Sequence, residues 1–190
     1  MKEVIILGSG YSHDFCRYHT EVWGVNFVYT FARRLDKLFF TDEIEEVEKC
    51  DYPLLDRLRE LNPALVFPTI YPKFKDFGLP IEIYPIKEIR ERFKNTEFFA
   101  NSICYMIAYA LYFNYDKIRL CGIDYDWHEG TEKKEESGTN FWVGVAVGMG
   151  VNVVIPEDSA IGKTFNRRMY GELGIDRNKI KVGEYTGWDN

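Results

Sequence analysis

The chain has 190 residues and a formal net charge of −6, with 46% hydrophobic, 28% charged and 16% aromatic residues. This length and composition are typical of one globular domain and exclude a disordered chain. The acidic balance also argues against a duplex nucleic acid as partner, because proteins that bind one usually present a basic face to its phosphates.

The first half of the chain alternates short apolar runs with amphipathic segments. The apolar runs predict buried strands. Residues 27–34 are predicted to form a brief helix, and residues 43–61 two short helices, because Pro53 interrupts their amphipathic pattern. The strands predicted for this half cover residues 4–7, 21–26, 35–41, 64–67 and 81–84.

The second half contains the clearest helix, which begins near Asn101 and carries apolar residues at a 3.6-residue period. A predicted strand at 117–121 follows and runs into Asp124. The acidic residues that come next predict a mobile loop at 126–139. Beyond it we expect a helix at 140–148, a strand at 151–155, a final helix after Pro156 and a polar tail at 176–190.

This alternation of strands and helices predicts a single domain over residues 1–175. Its class is α/β, with a Rossmann-like three-layer α/β/α architecture and a mostly parallel sheet. In such sheets ligands bind outside the carboxyl ends of the strands. The functional candidates therefore lie at three strand ends, namely residues 8–12, Asn26 and residues 124–128.

The loop from Gly8 to Ser12 follows the first predicted strand, as phosphate-binding loops do. Glycines let backbone N–H groups approach an anion, and the start of a following helix would favour negative charge. However, His13 stands where a dinucleotide-binding loop has its third glycine, and no Gly-Lys-Ser/Thr sequence closes a P-loop here. A tight turn without a ligand explains Gly8 and Gly10 equally well.

Other polar residues at predicted strand and helix ends are further candidates. Asn26 can fix a base or ribose through its amide, and Ser102 can place a hydroxyl beside the free N–H groups of a helix start. Asp124 can bind a metal or act as a general base, and His128 just beyond it can act as a general acid or base. Each of the first three could instead cap a turn or a helix.

Several other patterns are absent from the sequence. The histidines His13, His19 and His128 match no zinc motif, and the four cysteines contain no C-x-x-C pair, so we predict no metal site and four reduced thiols. The apolar run at the N-terminus is too short for a signal peptide, and no segment reaches the ~20 apolar residues of a membrane span. These features predict a cytoplasmic protein without a membrane span.

Taken in order, five segments resemble the bacterial sialyltransferase-like Rossmann group. That group has a strand ending in a Gly-x-Gly-Pro-Ser loop, a strand ending in Asn, a Thr-Ser-Gly helix start and a strand ending in Gly-Ile-Asp. Related families include flagellin-modifying motility accessory proteins, archaeal hydroxymethyl-dihydropterin diphosphokinases and uncharacterised tailed-phage proteins. The segments that carry the resemblance are VIILGSGYS at 4–12, VWGVN at 22–26, LFFTD at 38–42, NSICYM at 101–106 and KIRLCGIDY at 117–125.

The resemblance implies a nucleotide-binding domain whose pocket lies at these strand ends. Its nucleotide-binding residues would be Gly8, Ser9, Gly10, Ser12, Asn26, Asp42, Asn101 and Ser102. Its catalytic residues would be Asp124, Tyr125 and His128.

Three functions are compatible with this pocket. The first is a glycosyltransferase-like enzyme that uses a CMP-sugar or another nucleotide-activated sugar, in which Asp124 or His128 deprotonates the acceptor or protonates the departing phosphate. The second is a pyrophosphokinase of the hydroxymethyl-dihydropterin type that uses ATP and Mg²⁺, with Asp42 and Asp124 as metal ligands. The third is a non-catalytic nucleotide-binding or interaction module. The sequence leaves the acceptor unidentified and a homo-oligomer open.

Overall fold

The computed structural model describes residues 1–94, 97–125, 132–156, 159 and 161, without the side chains of residues 132 and 133. These residues contain one sheet of seven strands. The strands are β1 (Glu3–Leu7), β2 (Glu21–Val25), β3 (Lys37–Phe39), β4 (Ala64–Phe67), β5 (Ile81–Ile83), β6 (Lys117–Cys121) and β7 (Asn152–Val154). The α-helices are α1 (Ile44–Lys49), α2 (Leu55–Leu61), α3 (Ile86–Phe93), α4 (Ser102–Tyr112) and α5 (Glu132–Gly148). Short 3₁₀ helices lie at Tyr11–Phe15, Asn26–Thr30 and Pro72–Phe74.

All six strand pairings in the sheet are parallel, and the strand order is β5-β4-β3-β2-β1-β6-β7. The order reverses at β1, which lies between β2 and β6. Leu7 is opposite both Gly24 of β2 and Cys121 of β6, so these three strands end level with one another. The loops that follow them therefore meet at one edge, where doubly wound sheets bind their ligands.

Both faces of the sheet are buried, which confirms the predicted three-layer α/β fold. Successive side chains of a strand point to opposite faces. Accordingly Val4 and Ile6 pack in the core beneath α3, α4 and α5, while Ile5 and Leu7 pack beneath α1, α2 and the 3₁₀ helices. Strands covered on both faces are expected to be nearly continuous in apolar residues, as β1 is.

The prediction of a mobile loop at 126–139 is wrong for its second part, since α5 begins at Glu132. Glutamate and lysine favour helix, and acidic residues stabilise the first turn through the helix dipole. Gly138, which suggests flexibility in the sequence, packs against α4. A Cβ at Gly138 would lie 2.8 Å from the Cβ of Ala100, so the glycine permits a close helix–helix approach.

Two further features differ from the sequence predictions. The loop after β1 leads into the five-residue 3₁₀ helix Tyr11–Phe15 rather than an α-helix, so no α-helix dipole follows it. Helix α3, which sequence analysis did not predict, lies between β5 and α4.

Some predictions fall on residues outside the described part of the chain. They are the catalytic role of His128, the loop residues 126–131, the final helix after Pro156 and the tail at 176–190. Within the described residues, no helix combines the length and the apolar character needed to cross a membrane.

Candidate functional site

A cleft of about 380 Å³ lies at the carboxyl ends of β1, β2, β3 and β6. One wall is formed by the loops that follow these strands, and the other by the start of α4 and by Glu135 of α5. The cleft contains almost all of the described residues that the sequence predicted for the site. Its lining includes Gly8, Ser9, Gly10, Asn26, Asp42, Asn101, Ser102, Asp124, Tyr125 and Glu135.

The floor of the cleft is a close contact between the loop after β1 and the loop after β6. The N–H groups of Gly8 and Gly10 donate to the carbonyl oxygens of Cys121 and Gly122, both at 2.8 Å. A Cβ on Gly8 or Gly122 would lie closer than 3.0 Å to the backbone of the other residue. The two glycines after β1 thus join two loops, which leaves the exposed Ser9 between them to face the cleft.

Asp124 is held in place by Ser12. Its Oδ1 accepts a short hydrogen bond from the Ser12 hydroxyl, and its Oδ2 accepts one from the Ser12 N–H at 2.8 Å. The Ser12 hydroxyl in turn accepts from the Gly122 N–H at 2.8 Å. Ser12 is fully buried and does not line the cleft, and Asp124 is 3% exposed. Both residues fix the shape of the floor, since a carboxylate that accepts hydrogen bonds at both oxygens is oriented by them.

Asn26 differs from Asp124 because the oxygen of its side-chain amide has no partner among the described residues. It follows β2 directly and adopts a left-handed conformation with φ 48°, which asparagine tolerates better than most residues. Its Oδ1 is buried and accepts no hydrogen bond. A buried acceptor without a donor is rare and costs roughly 1–3 kcal/mol. Since Asn26 lines the cleft, a ligand N–H or O–H group would fit this oxygen.

The start of α4 forms the opposite wall. Asn101 caps the helix, because its Oδ1 accepts from the Cys104 N–H at 3.0 Å. Ser102 is the first residue of the helix, and its hydroxyl shares a hydrogen bond of 2.7 Å with the Thr41 hydroxyl at the end of β3. The first N–H groups of an α-helix have no acceptor within the helix, and its dipole favours an anion there. This end of the cleft is therefore suited to a phosphate group.

A small polar cluster connects α4, α5 and the loop after β6. The Asn101 amide donates to the Tyr125 hydroxyl at 2.6 Å and to the Glu135 carbonyl oxygen at 3.2 Å. The Tyr125 and Thr139 hydroxyls lie 3.0 Å apart, and Thr139 is fully buried. Burial is the main cause that raises the pKa of Tyr125, so its hydroxyl stays protonated at neutral pH. The cluster fixes the position of the α4 start relative to α5.

The charged side chains of the described lining are all acidic: Asp42, Asp124 and Glu135. Asp42 lies exposed at the rim, where partial desolvation of its carboxyl raises the pKa. Its carbonyl oxygen accepts from the buried Tyr71 hydroxyl at 2.6 Å. Among the described residues, no group of three or more His, Cys, Asp or Glu side chains is arranged to hold a metal ion.

Sequence reasoning missed Glu135 and Thr139, because it placed both in a mobile loop. A signal was present, however. Glu135, Thr139, Trp142 and Ala146 recur at the spacing of one helix face, and the last three are buried. Extending the predicted helix backwards from Trp142 would have placed Glu135 at the start of this face.

The fold has close counterparts among solved structures. The Campylobacter jejuni monofunctional α-2,3-sialyltransferase Cst-I matches with a TM-score of 0.57 and 15% sequence identity over 84% of this chain and 78% of that chain. An apo α-2,3-sialyltransferase from the same organism matches with a TM-score of 0.55 and 18% identity, over 84% of this chain and 77% of that chain. The sialyltransferase CstII in complex with the substrate analogue CMP-3FNeuAc matches with a TM-score of 0.54 and 17% identity, over 82% of this chain and 80% of that chain.

This chain shares its α/β fold with these solved sialyltransferases. At these identities the likeness establishes the architecture, and it confirms the fold that the sequence resemblance implied. A search with protein-family models and a search of curated protein sequences both return no match.

Proposed function

We propose that this protein is a glycosyltransferase-like enzyme that takes its sugar from a CMP-activated donor. The observation that carries the proposal is the buried Oδ1 of Asn26, which lines the cleft and has no partner in the described part of the chain. Ribose hydroxyls and the amino group of cytosine are hydrogen-bond donors of the kind this oxygen lacks. The structural neighbours add support, since one of them is described in complex with CMP and another with CMP and a trisaccharide acceptor.

The cleft favours one phosphate over two or three. Its phosphate-binding groups are neutral: the first N–H groups of α4 and the exposed Ser9, while the charged groups of the described lining are carboxylates. A single phosphodiester charge suits the end of one helix. A diphosphate or triphosphate would bring further charge toward Asp42 and Asp124 and would need a cation to bridge them.

In this proposal the residues of the cleft have separate roles. Asn26 binds the nucleoside, and Ser9 and the start of α4 bind the phosphate. Asp124 holds the loop after β1 in place through its hydrogen bonds with Ser12. His128, which lies outside the described residues, stays a candidate for the acid that protonates the departing phosphate.

The proposal is tested by following the melting temperature of the protein with CMP, UDP, GDP, ADP and ATP, each in EDTA and in Mg²⁺. We expect CMP to stabilise the fold in EDTA. At a hundredfold excess over the dissociation constant the gain is about 2.7 kcal/mol, which corresponds to a rise of roughly 5–10 °C for a chain of this size.

Other outcomes favour the other two functions. A response only to ATP with Mg²⁺ would contradict the proposal and favour the pyrophosphokinase. Stabilisation by CMP without any release of CMP from CMP-N-acetylneuraminic acid would favour a non-catalytic module.

A further inference from the structure

The three carboxylates of the cleft differ in burial and in position. Both oxygens of Asp124 accept hydrogen bonds from Ser12, and the residue is 3% exposed. Asp42 lies at the exposed rim. Glu135 is half-buried in the wall that α5 contributes.

The backbone that carries Glu135 is firmly anchored. Its carbonyl oxygen accepts from the Asn101 amide, which also caps α4. One turn further along α5, Thr139 is fully buried against the hydroxyl of Tyr125. A carboxylate on a rigid helix is positioned more precisely than one on a loop.

Glu135 and Tyr125 line the same side of the cleft, and the Asn101 amide donates both to the Tyr125 hydroxyl and to the Glu135 carbonyl oxygen. Burial is the main cause that raises the pKa of Tyr125, and the negative charge of Glu135 adds to the rise. Asn26 enters the cleft from the β2 side of β1, while Tyr125 and Glu135 enter from the β6 side. A nucleoside bound at Asn26, with its phosphate at the start of α4, thus leaves the β6 side of the cleft, beside Tyr125 and Glu135, for an acceptor to approach.

We propose that Glu135 is the general base of the transfer reaction, an inference that rests on the proposed function. Its carboxylate takes the proton of the attacking hydroxyl as the oxygen forms a bond to the anomeric carbon of the sugar. The bond between that carbon and the phosphate oxygen breaks, and its electron pair leaves with CMP. Glu135 then returns the proton to solvent. Water in place of the acceptor hydroxyl gives hydrolysis of the donor by the same step.

The experiment compares wild type with E135Q, E135D and E136Q, using CMP-N-acetylneuraminic acid as donor and water as acceptor. The release of CMP gives turnover, and calorimetric titration with CMP gives affinity. Glu136 is the matched control, since it is also half-buried on α5 but does not line the cleft.

We expect E135Q to lower kcat at least 100-fold, the size typical of a lost general base, with a CMP affinity within threefold of wild type. E135D should retain more turnover than E135Q, because it keeps a carboxylate, and E136Q should resemble wild type. A fall in CMP affinity parallel to the fall in kcat, or the same loss in E136Q, would make Glu135 structural and overturn the inference.

The outcomes also separate this inference from the proposed function. Turnover by E135Q at the wild-type rate would overturn the inference and leave the proposed function standing. Absence of both CMP binding and CMP release in wild type would overturn the proposed function and the inference with it.

Discussion

Polar groups at the amino end of the sheet are paired, whereas one buried acceptor at the carboxyl end has no partner among the described residues. At the amino end, Glu21 accepts hydrogen bonds from the Trp23 indole at 2.7 Å and from the Tyr115 hydroxyl. Nearby, Glu82 accepts from the Tyr109 hydroxyl at 2.9 Å and pairs with Lys37. At the carboxyl end, the amide oxygen of Asn26 is buried and accepts no hydrogen bond from the residues that the structure describes.

This difference distinguishes the residues that we expect to stabilise the fold from the residue that we expect to bind a ligand. A paired polar group contributes a modest net stability, while an unpaired one costs free energy in the folded state. The amide oxygen of Asn26 carries this cost in a cleft that also contains the start of α4. A ligand that donates a hydrogen bond to this oxygen best explains why the cost is tolerated. Changes at the amino end should therefore lower stability without affecting binding, and the change at Asn26 should weaken binding without lowering stability.

The largest effect on stability is expected at Gly122, where the two loops of the cleft floor meet. Its φ is +68°, and a Cβ would lie closer than 3.0 Å to the backbone of Gly8, so Gly122→Ala adds a clash to a strained conformation. We expect it to lower the free energy of unfolding by about 3 kcal/mol or more in urea titrations.

Gly78→Ala is the control for that substitution. Gly78 has a φ of +85° with nothing within 4 Å of the added Cβ, so only the conformational cost of about 1–2 kcal/mol applies. Equal losses in the two variants would show that the loops are not closely packed.

The next largest effect is expected at the amino end, for Tyr115→Phe. The substitution removes the hydroxyl that donates to Glu21, and we expect a loss of about 1–2 kcal/mol in urea unfolding with CMP affinity unchanged. Tyr112→Phe is the control, because Tyr112 lies three residues earlier at the end of α4 and its hydroxyl bonds no carboxylate among the described residues. A changed CMP affinity in Tyr115→Phe would contradict the separation of the two ends.

A smaller, pH-dependent effect is expected for Glu3, also at the amino end. The hydrogen bond from Arg119 is the main cause that holds the pKa of Glu3 below its ordinary value, and Lys117 adds to it. A carboxyl whose pKa is lowered by folding stabilises the fold above the ordinary pKa of about 4.3, and this stability is lost as the pH falls below it. Glu3→Gln should therefore lose less stability than wild type between pH 7 and pH 3, measured as urea midpoints. Parallel pH profiles of the two proteins would rule out this role.

The sequence predicts the strand ends well because their signals are local. An apolar run of β-branched residues followed by glycine or asparagine indicates a buried strand entering a turn, as at Gly8 and Asn26. A parallel sheet then brings such ends together, which is why most predicted binding residues line one cleft.

The rest depends on contacts that are distant in sequence. Ser12 stands where phosphate-binding loops often have a serine. Its backbone N–H nevertheless donates to Asp124, which is 112 residues away in the sequence. In the sequence alone, Gly138 suggests flexibility. In the fold it packs closely against Ala100, a contact that the sequence does not reveal. Helix α3 had a readable signal in Ile86, Ile89 and Phe93, which recur at helical spacing directly after Pro85.

The central claim, that the cleft binds a nucleotide through Asn26, is tested most directly by calorimetric titration of CMP into wild type and Asn26→Gly. Glycine keeps the left-handed backbone and removes only the unpartnered amide, and Asn62→Gly is the matched control, since Asn62 is also left-handed with φ 50° but lies at the end of α2. We predict a loss of CMP affinity of at least tenfold in Asn26→Gly, with a melting temperature no lower than that of wild type without ligand, and no loss of affinity in Asn62→Gly. Equal CMP affinity in Asn26→Gly and wild type would contradict the claim.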